Sequence, residues 1–249
     1  MGKNLHKYYY KDYFGDIDFS FLRSGNSTLK DRAVRAIKRK NQELCSSVLE
    51  PLPQLPGTDT FEKPLEVVYP GLVTGIGINH EATIEGEFKL GVHFDWTYGM
   101  PVIYGSSVKG VLSSYFKEFY ELKEGKPERD AAFDDIFNGA HKSIYERDIF
   151  FDAVILRGDR KGRILCPDSI TPHGGENHDN PLKNPVPITF MKIAAGSTLE
   201  FRFRLVDTVI NGKTFSKEDK LALFQKILTT VGAGAKTNVG YGQLKIGRR

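Results

Sequence analysis

The chain has 249 residues, of which 40% are hydrophobic, 12% aromatic and 27% charged, the composition of an ordinary globular protein rather than a disordered or fibrous one. Its 35 lysines and arginines against 31 aspartates and glutamates leave a net charge of +4, too small an excess to mark a nucleic-acid binder unless the charges cluster. No apolar run approaches the roughly 20 residues needed to cross a bilayer, and the N-terminus lacks the apolar stretch of a secretion signal. The two cysteines, Cys45 and Cys166, have no CxxC partner. A cytoplasmic protein with two inert thiols, no disulfide framework and no membrane partner is expected.

Residues 1–64 read as an N-terminal helical extension. An aromatic run, YYYKDYFGDIDFSF, precedes TLKDRAVRAIKRKNQELCSSVL. There Leu29, Ala33, Ala36, Ile37 and Leu44 fall at helical spacing, with Lys30, Arg32, Arg35, Lys38, Arg39 and Lys40 between them. The result is a basic amphipathic helix, either a solvated face or a surface for RNA or an acidic partner. PLPQLPGTDTFEKP closes the segment as a connector.

Residues 65–249 read as one mixed domain. LEVVYPGLVTGIGI is an apolar, β-branched strand with a bend at Pro70 and Gly71. Residues 79–104 form an irregular loop or hairpin that leads into a helix. That helix carries a stripe of Val108, Val111, Leu112, Tyr115, Phe116 and Phe119, with Ser106 or Ser107 expected as its N-cap. The charged run ELKEGKPERD ends it, and FDDIFNG makes a short helical turn. RDIFFDAVILR, residues 147–157, reads as a central strand. Residues 158–187, rich in proline, glycine and polar groups, read as a long inserted loop. PITFMKIA and STLEFRFRLV are two further strands, the second alternating strictly. A final helix opens at Ser216 with Asp219 in a capping box, buries Leu221, Phe224, Ile227, Leu228 and Val231, and stops at Gly232. GAGAKTNVGYG and the strand QLKI follow. The order strand, helix, strand, strand, helix, strand predicts an α+β fold with a ferredoxin-like βαββαβ core.

Two segments carry anion chemistry. Glycines at 232, 234, 240 and 242 surround Gly234, Ala235, Lys236, Thr237 and Asn238, a backbone that can approach a phosphate and turn its amides toward it. The segment is no Walker A loop, because it follows a helix and precedes a strand. Gly105, Ser106, Ser107 and Lys109 open the clearest helix, where free amides, the positive dipole end and a lysine favour an anion. From Lys220 to Arg249 no acid occurs, while Lys220, Lys226, Lys236, Lys245, Arg248 and Arg249 do, so a cationic surface is expected there. A zinc site from Cys166, His173 and His178 lacks a fourth ligand; Asp134 with Asp135, and Asp148 with Asp152, fit helix-surface and strand-end positions. No metal or cofactor is expected. His93, close to Asp95, fits a loop-stabilising histidine better than a general base.

Tyr98-Gly99-Met100-Pro101-Val102-Ile103-Tyr104-Gly105-Ser106-Ser107-Val108-Lys109-Gly110 resembles the helix start of the repeat-associated mysterious protein, or RAMP, superfamily of CRISPR systems. Gly232 to Gly242 resembles that superfamily's C-terminal glycine-rich loop. FFDAVIL, ITPH and NPVPITFMKIAAGSTLEFRF, in this order between the two motifs, are similar to the sixth-subunit group of type III-B (Cmr) effector complexes. The resemblance spans about residues 65–246, and departs at Tyr104, where the superfamily usually has proline. It implies a non-catalytic subunit whose ferredoxin-like core holds CRISPR guide RNA. In it Ser106, Ser107 and Lys109 and the 234–238 loop contact phosphates, and residues 158–187 serve as a thumb toward guide and target RNA. It further implies that the subunit caps a filament near the guide's 3′ end, beside the repeated filament-forming RAMP subunit and a tandem-RAMP-domain subunit. The alternative within the superfamily is a metal-independent endoribonuclease that processes guide precursors, with His93 or His141 as base.

Overall fold

The computed structural model describes residues 4–52, 55–75, 84–89, 91–121, 126–139, 142–171 and 187–248. Its architecture is mixed α and β. The chain begins with α1 (Leu5–Lys7), which runs into a π-helical turn over Tyr8–Asp12, followed by α2 (Phe21–Ser24) and α3 (Ser27–Cys45). Asn26 caps α3, its side chain accepting the Leu29 amide at 3.2 Å. The apolar stripe predicted for this helix is buried through Ala33, Ile37 and Leu44. It packs with Leu5, Tyr9 and Tyr13 into the same core as the rest of the protein.

One expected surface cation is internal. Lys40 is buried, ion-paired with Asp16, and donates to the Asp12 carbonyl. It lies on the inward face because it is three residues beyond Ile37 and four before Leu44, so its partners come from the loop beneath.

β1 (Asp59–Thr60), β2 (Leu65–Val67) and β3 (Val102–Ile103) precede α4 (Gly105–Phe119). α4 buries Val108, Leu112 and Phe116 of its expected stripe, with Val111 and Phe119 half-buried at its border and Tyr115 exposed. The charged run after it is not a plain terminator: Lys126–Phe133 forms α5, which passes into a π-helical turn over Asp134–Asn138. A 3-10 turn over Ile144–Glu146, capped by Ser143 with Glu146, leads to β4 (Ile149–Phe150) and β5 (Ala153–Arg157). Then come β6 (Leu165–Ile170), β7 (Ile188–Ile193), β8 (Thr198–Glu200), β9 (Arg202–Arg204), β10 (Thr208–Ile210), β11 (Lys213–Phe215), α6 (Lys217–Val231), a 3-10 turn over Thr237–Val239 and β12 (Leu244–Ile246). The Ser216–Asp219 capping box forms, with Asp219 N–H donating to Ser216 Oγ at 3.1 Å and Ser216 N–H to Asp219 Oδ2 at 3.2 Å.

A five-stranded antiparallel sheet in the order β12-β2-β8-β5-β3 is the largest among the described residues. α4 and α6 pack on each other beside it. The two long strands expected at 147–157 and 197–206 are each divided. β5 pairs with β8 in this sheet, while β4 pairs with β9 and β9 with β1 in a separate three-stranded sheet. The pairing slips by one residue between Phe150↔Phe203 and Val154↔Glu200, the signature of a bulge that bends both strands together. Phe201 and Phe203, continuous in sequence pattern, are thereby buried on either side of the bend.

The expected loop over 158–187 contains β6, which forms a long antiparallel hairpin arm with β7 in register from Leu165↔Ile193 to Ile170↔Ile188. Pro167 sits on this two-stranded ribbon, where one edge needs no donor. The connection between the two arms, residues 172–186, lies outside the described residues.

Candidate nucleic-acid interface

The start of α4 is built on the strand bend. Gly105 lies so close to the β4–β5 segment that a Cβ there would collide with the Phe150 carbonyl. Its amide is already taken, donating to Asp152 Oδ1 at 2.7 Å. Tyr104, not a serine, is the N-cap residue, and it has no side-chain cap bond. The serine expectation is thus corrected: the carboxylate of Asp152, 47 residues away in sequence, caps the helix. Ser107 and Val108 donate their amides to the Tyr104 carbonyl at 2.8 and 3.0 Å. Free toward solvent are the exposed Ser106, the half-buried Ser107 hydroxyl and Lys109. Lys109 has no carboxylate partner among the described residues.

The glycine-rich loop is anchored rather than open over its first half. Ala235 N–H donates to the Val73 carbonyl at 2.7 Å, and Ala233 N–H to Gly242 O at 2.9 Å. Gly234, at φ +89°, presses on the Val73 carbonyl, leaving no room for a side chain. Gly234 and Ala235 therefore fix the loop to Val73, and the Ala235 amide is spent in doing so. The second half differs. Lys236 takes the left-handed conformation at φ 61° and opens the Thr237–Val239 turn. No acceptor among the described residues takes the amides of Lys236, Thr237 and Asn238. Lys236 also has no ion-pair partner among them.

Residues 72–75 tie the two motifs together. Val73 bridges to Ala235, Thr74 Oγ1 accepts the His93 amide at 2.6 Å, and Gly75 bridges to Gly91. Gly75 lacks a Cβ, and its place is filled by the His93 imidazole. That ring stacks on Tyr104 at 4.4 Å between centroids and 13° between planes. The glycine-rich loop, this connecting segment, His93 and the α4 start therefore form one contiguous assembly.

The cationic surface expected from residues 220–249 is smaller than the sequence suggests. Lys220 is fully buried against Asp148 at 2.6 Å, Lys226 pairs with Glu121 at 3.5 Å, and Lys245 with Glu66 at 3.0 Å. Lys236 and Arg248 remain unpaired among the described residues; Arg249 lies outside them.

His93 and Asp95 do not form an acid–base pair. Asp95 accepts Thr97 N–H at 2.8 Å, Thr97 Oγ1 at 2.9 Å and the Tyr98 amide. Burial raises its pKa less than these donors lower it, so it is held as a carboxylate below its ordinary range. Desolvation lowers the His93 pKa against the opposing pull of Asp152, favouring a neutral ring. Burial pushes the Cys45 thiol up to about 12 and raises Cys166 as well, as expected of inert thiols. His141, His173 and His178 lie outside the described residues. No group of three metal-ligating side chains occurs among the described residues, and none of their helices is long and apolar enough to cross a membrane. Sequence reasoning missed Asp152 as a cap, since its only signal was a lone carboxylate interrupting the apolar run 149–156.

A family model described as the RAMP superfamily matches residues 64–245. In fold the chain is similar to one in a solved structure described as the type III-B Cmr-beta bound to cognate target RNA, with 19% identity and a TM-score of 0.54 over 93% of this chain and 75% of that one. It also matches Cmr6 from Pyrococcus furiosus at 18% identity and a TM-score of 0.37, over 78% of this chain and 100% of that one. A search of curated protein sequences finds no match.

Proposed function

The chain belongs to the RAMP superfamily, and on that premise we propose that it is a non-catalytic, RNA-binding backbone subunit of a type III-B RNA-guided effector complex. Its sheet order β12-β2-β8-β5, with α4 and α6 as the crossovers, is read as the ferredoxin-like core, with residues 1–64 as an extension of it. The guide RNA is held by its phosphates, without base readout. The observation that carries this reading is the pair of lysines, Lys109 in the first turns of α4 and Lys236 in the glycine-rich loop, left without carboxylate partners among the described residues on two elements linked through residues 72–75 and His93. Ser106, Ser107, Thr237 and Asn238 supply neutral donors around them. Gly105, Gly234 and Ala235 set the backbone that presents those donors. The β6–β7 arm takes the role of thumb toward guide and target RNA. The partners are the repeated filament-forming RAMP subunit and the tandem-RAMP-domain subunit, near the guide's 3′ end, in the cytoplasm, with no cofactor.

The test is affinity purification of the tagged protein from its host, with sequencing of bound RNA, for the natural chain and a Lys109→Ala/Lys236→Ala variant. Guides and sibling subunits with the natural chain, and depleted guides with the variant, are expected. Guides retained at full level by the variant would refute the phosphate assignment. Processing of a guide precursor by the purified chain, lost on His93→Ala, would establish the endoribonuclease reading instead.

A further inference from the structure

The N-terminal extension meets the α4 start through aromatic rings. His6 and Tyr10 come from α1 and the turn that follows it. Trp96 stands at the tip of the Asp95–Gly99 turn, and the three rings pack in series as a column, tilted on one another: Trp96 to His6 at 4.2 Å and 36°, His6 to Tyr10 at 4.5 Å and 54° between centroids and planes. The Tyr10 phenol is raised by burial and by the nearby Tyr104, and Tyr104 stacks on His93. His6, Tyr10 and Trp96 thus pack together from two distant stretches of chain, and Tyr104 and His93 form a second stacked pair at the helix start bearing Ser106 and Lys109.

Trp96, the sole tryptophan, is 74% exposed, although burying its side chain would remove a large apolar area from water. Its exposure is built in. Asp95 holds the turn through the Thr97 and Tyr98 amides, Gly99 N–H donates to the Asp95 carbonyl at 3.0 Å, and Leu5 N–H donates to Gly99 O at 2.9 Å. Asn4 Nδ2 donates to the Trp96 carbonyl at 3.3 Å. Beneath the column, Tyr9 and Phe94 are fully buried, with Tyr9 at 5.0 Å from Tyr10 and 5.9 Å from Phe94. The rings are thus fixed before any ligand arrives, which reduces the entropy lost on binding.

We propose that the Trp96–His6–Tyr10 ring cluster is a stacking platform for the unpaired bases of a single-stranded RNA segment. Three features select RNA over a protein partner. The column is edged by imidazole and phenol groups instead of aliphatic side chains. Lys11, which follows Tyr10 in the chain, is exposed and without an ion pair among the described residues. The nearby acids, Asp95 and Asp152, keep their charge, but their oxygens are occupied by donors inside the protein, Thr97 and Tyr98 for Asp95 and the Gly105 amide for Asp152. A π-face accepts any base, so the contact is independent of sequence, as a guide-holding subunit requires. The inference rests on the proposed RNA-binding role and adds a base-contacting surface to the phosphate-contacting one.

The full chain is titrated at low ionic strength with a fluorescein-labelled oligoadenylate and with an abasic strand of equal length, for the natural protein, Trp96→Ala, Trp96→Phe and Lys109→Ala/Lys236→Ala. Circular dichroism checks that each variant is folded. Expected are quenching of Trp96 fluorescence by oligoadenylate and not by the abasic strand, and a loss of at least about fivefold in oligoadenylate affinity for Trp96→Ala. Trp96→Phe should largely retain binding, and the salt dependence should be unchanged in both Trp96 variants. Equal binding of both strands by the natural protein, with dependence on the two lysines, would overturn the platform while leaving the phosphate reading intact. Binding of neither strand would overturn both. An effect of Trp96→Ala on capture of a protein partner, with oligoadenylate affinity and fluorescence unmoved, would assign the rings to protein contact and overturn the platform.

Discussion

Replacement of Asp148 by alanine isolates a buried lysine, and its consequence is calculable. Lys220 is fully buried, and its ammonium donates to Asp148 Oδ2 and to the Val206 carbonyl, each at 2.6 Å. Asp148 Oδ1 accepts the Val206 amide at 2.8 Å. Burial pushes both side chains toward their neutral forms, Asp148 upward and Lys220 downward, and each is opposed by the partner's charge. Without Asp148, the folded chain either buries an unpaired ammonium or releases its proton. Release at pH 7 from an ordinary value of 10.5 costs about 5 kcal/mol, which sets the ceiling. Loss of one partner of a buried pair generally costs about 3 to 5 kcal/mol. For a chain of this size the melting temperature should fall by about 8 to 15 °C.

The pH dependence distinguishes this mechanism from a simple cavity. In Asp148→Ala the folded state holds Lys220 neutral while the unfolded state holds it protonated. The unfolded state binds more protons, so stability rises with pH, by about 1.4 kcal/mol per unit between pH 7 and 9. Lys220→Met leaves Asp148 unpaired and reverses the sign: the folded state holds the extra proton, and stability falls as pH rises above the ordinary carboxylate value. Urea unfolding of the two single variants, the double variant and the natural chain at several pH values measures both effects. A cost under about 1 kcal/mol, or two single variants with the same pH slope, would refute the reasoning.

Gly234→Ala places a β-carbon against the Val73 carbonyl at φ +89°; the left-handed penalty alone is about 1 to 2 kcal/mol, so thermal melting should drop by several degrees, whereas Lys236→Ala should melt with the natural chain. The same lysine substitution should lower the slope of log affinity against log salt by about 0.7 for single-stranded RNA. Asp152→Asn keeps an oxygen for the Gly105 amide and removes a charge, costing α4 about 0.3 to 1 kcal/mol; with a guide phosphate at the helix start, RNA affinity rises, and an unchanged affinity measured by fluorescence anisotropy would place the phosphate elsewhere. Asp16 is held below its ordinary value of 3.8, chiefly by the Lys40 ammonium. The stability this confers is present above that value and lost as pH falls through the depressed one, so hydrogen exchange in α3 should accelerate only at pH below about 4.

Local periodicity revealed the helices because the information for a helix lies within a few residues. The stripes of α4 and α6, the Ser216–Asp219 box and the inward face of α3 all follow from spacing. What periodicity did not reveal is the bend shared by residues 149–157 and 198–204. Leu199, Phe201, Phe203 and Leu205 alternate without interruption across it, since the extra residue of the bulge lies on the partner segment 150–154 and leaves their own alternation intact. β6 was concealed by a different cause. Pro167 and a polar alternation suit an exposed ribbon edge as readily as a loop, and only pairing with β7 decides between them.

Charge was the least legible property, because counting cations says nothing of their partners. Lys40 and Lys220 read as surface charge yet serve the core, with acids supplied from 24 and 72 residues away in the chain. Removing such paired lysines from the tally shrinks the basic surface at the two glycine-rich motifs to Lys109 and Lys236, while Lys30, Arg32, Arg35 and Lys38 stay exposed on α3. The glycines of the two motifs act on this remainder indirectly. Gly105 lets α4 begin against the Phe150 carbonyl, and Gly234 lets the C-terminal loop rest on Val73. Both are close approaches of backbone to backbone, and together they fix where Lys109 and Lys236 stand. On the proposed reading a glycine-rich motif acts through position: Gly105, Gly232 and Gly242 use their amides within the fold, and the lysine beside each set is the group left for a phosphate.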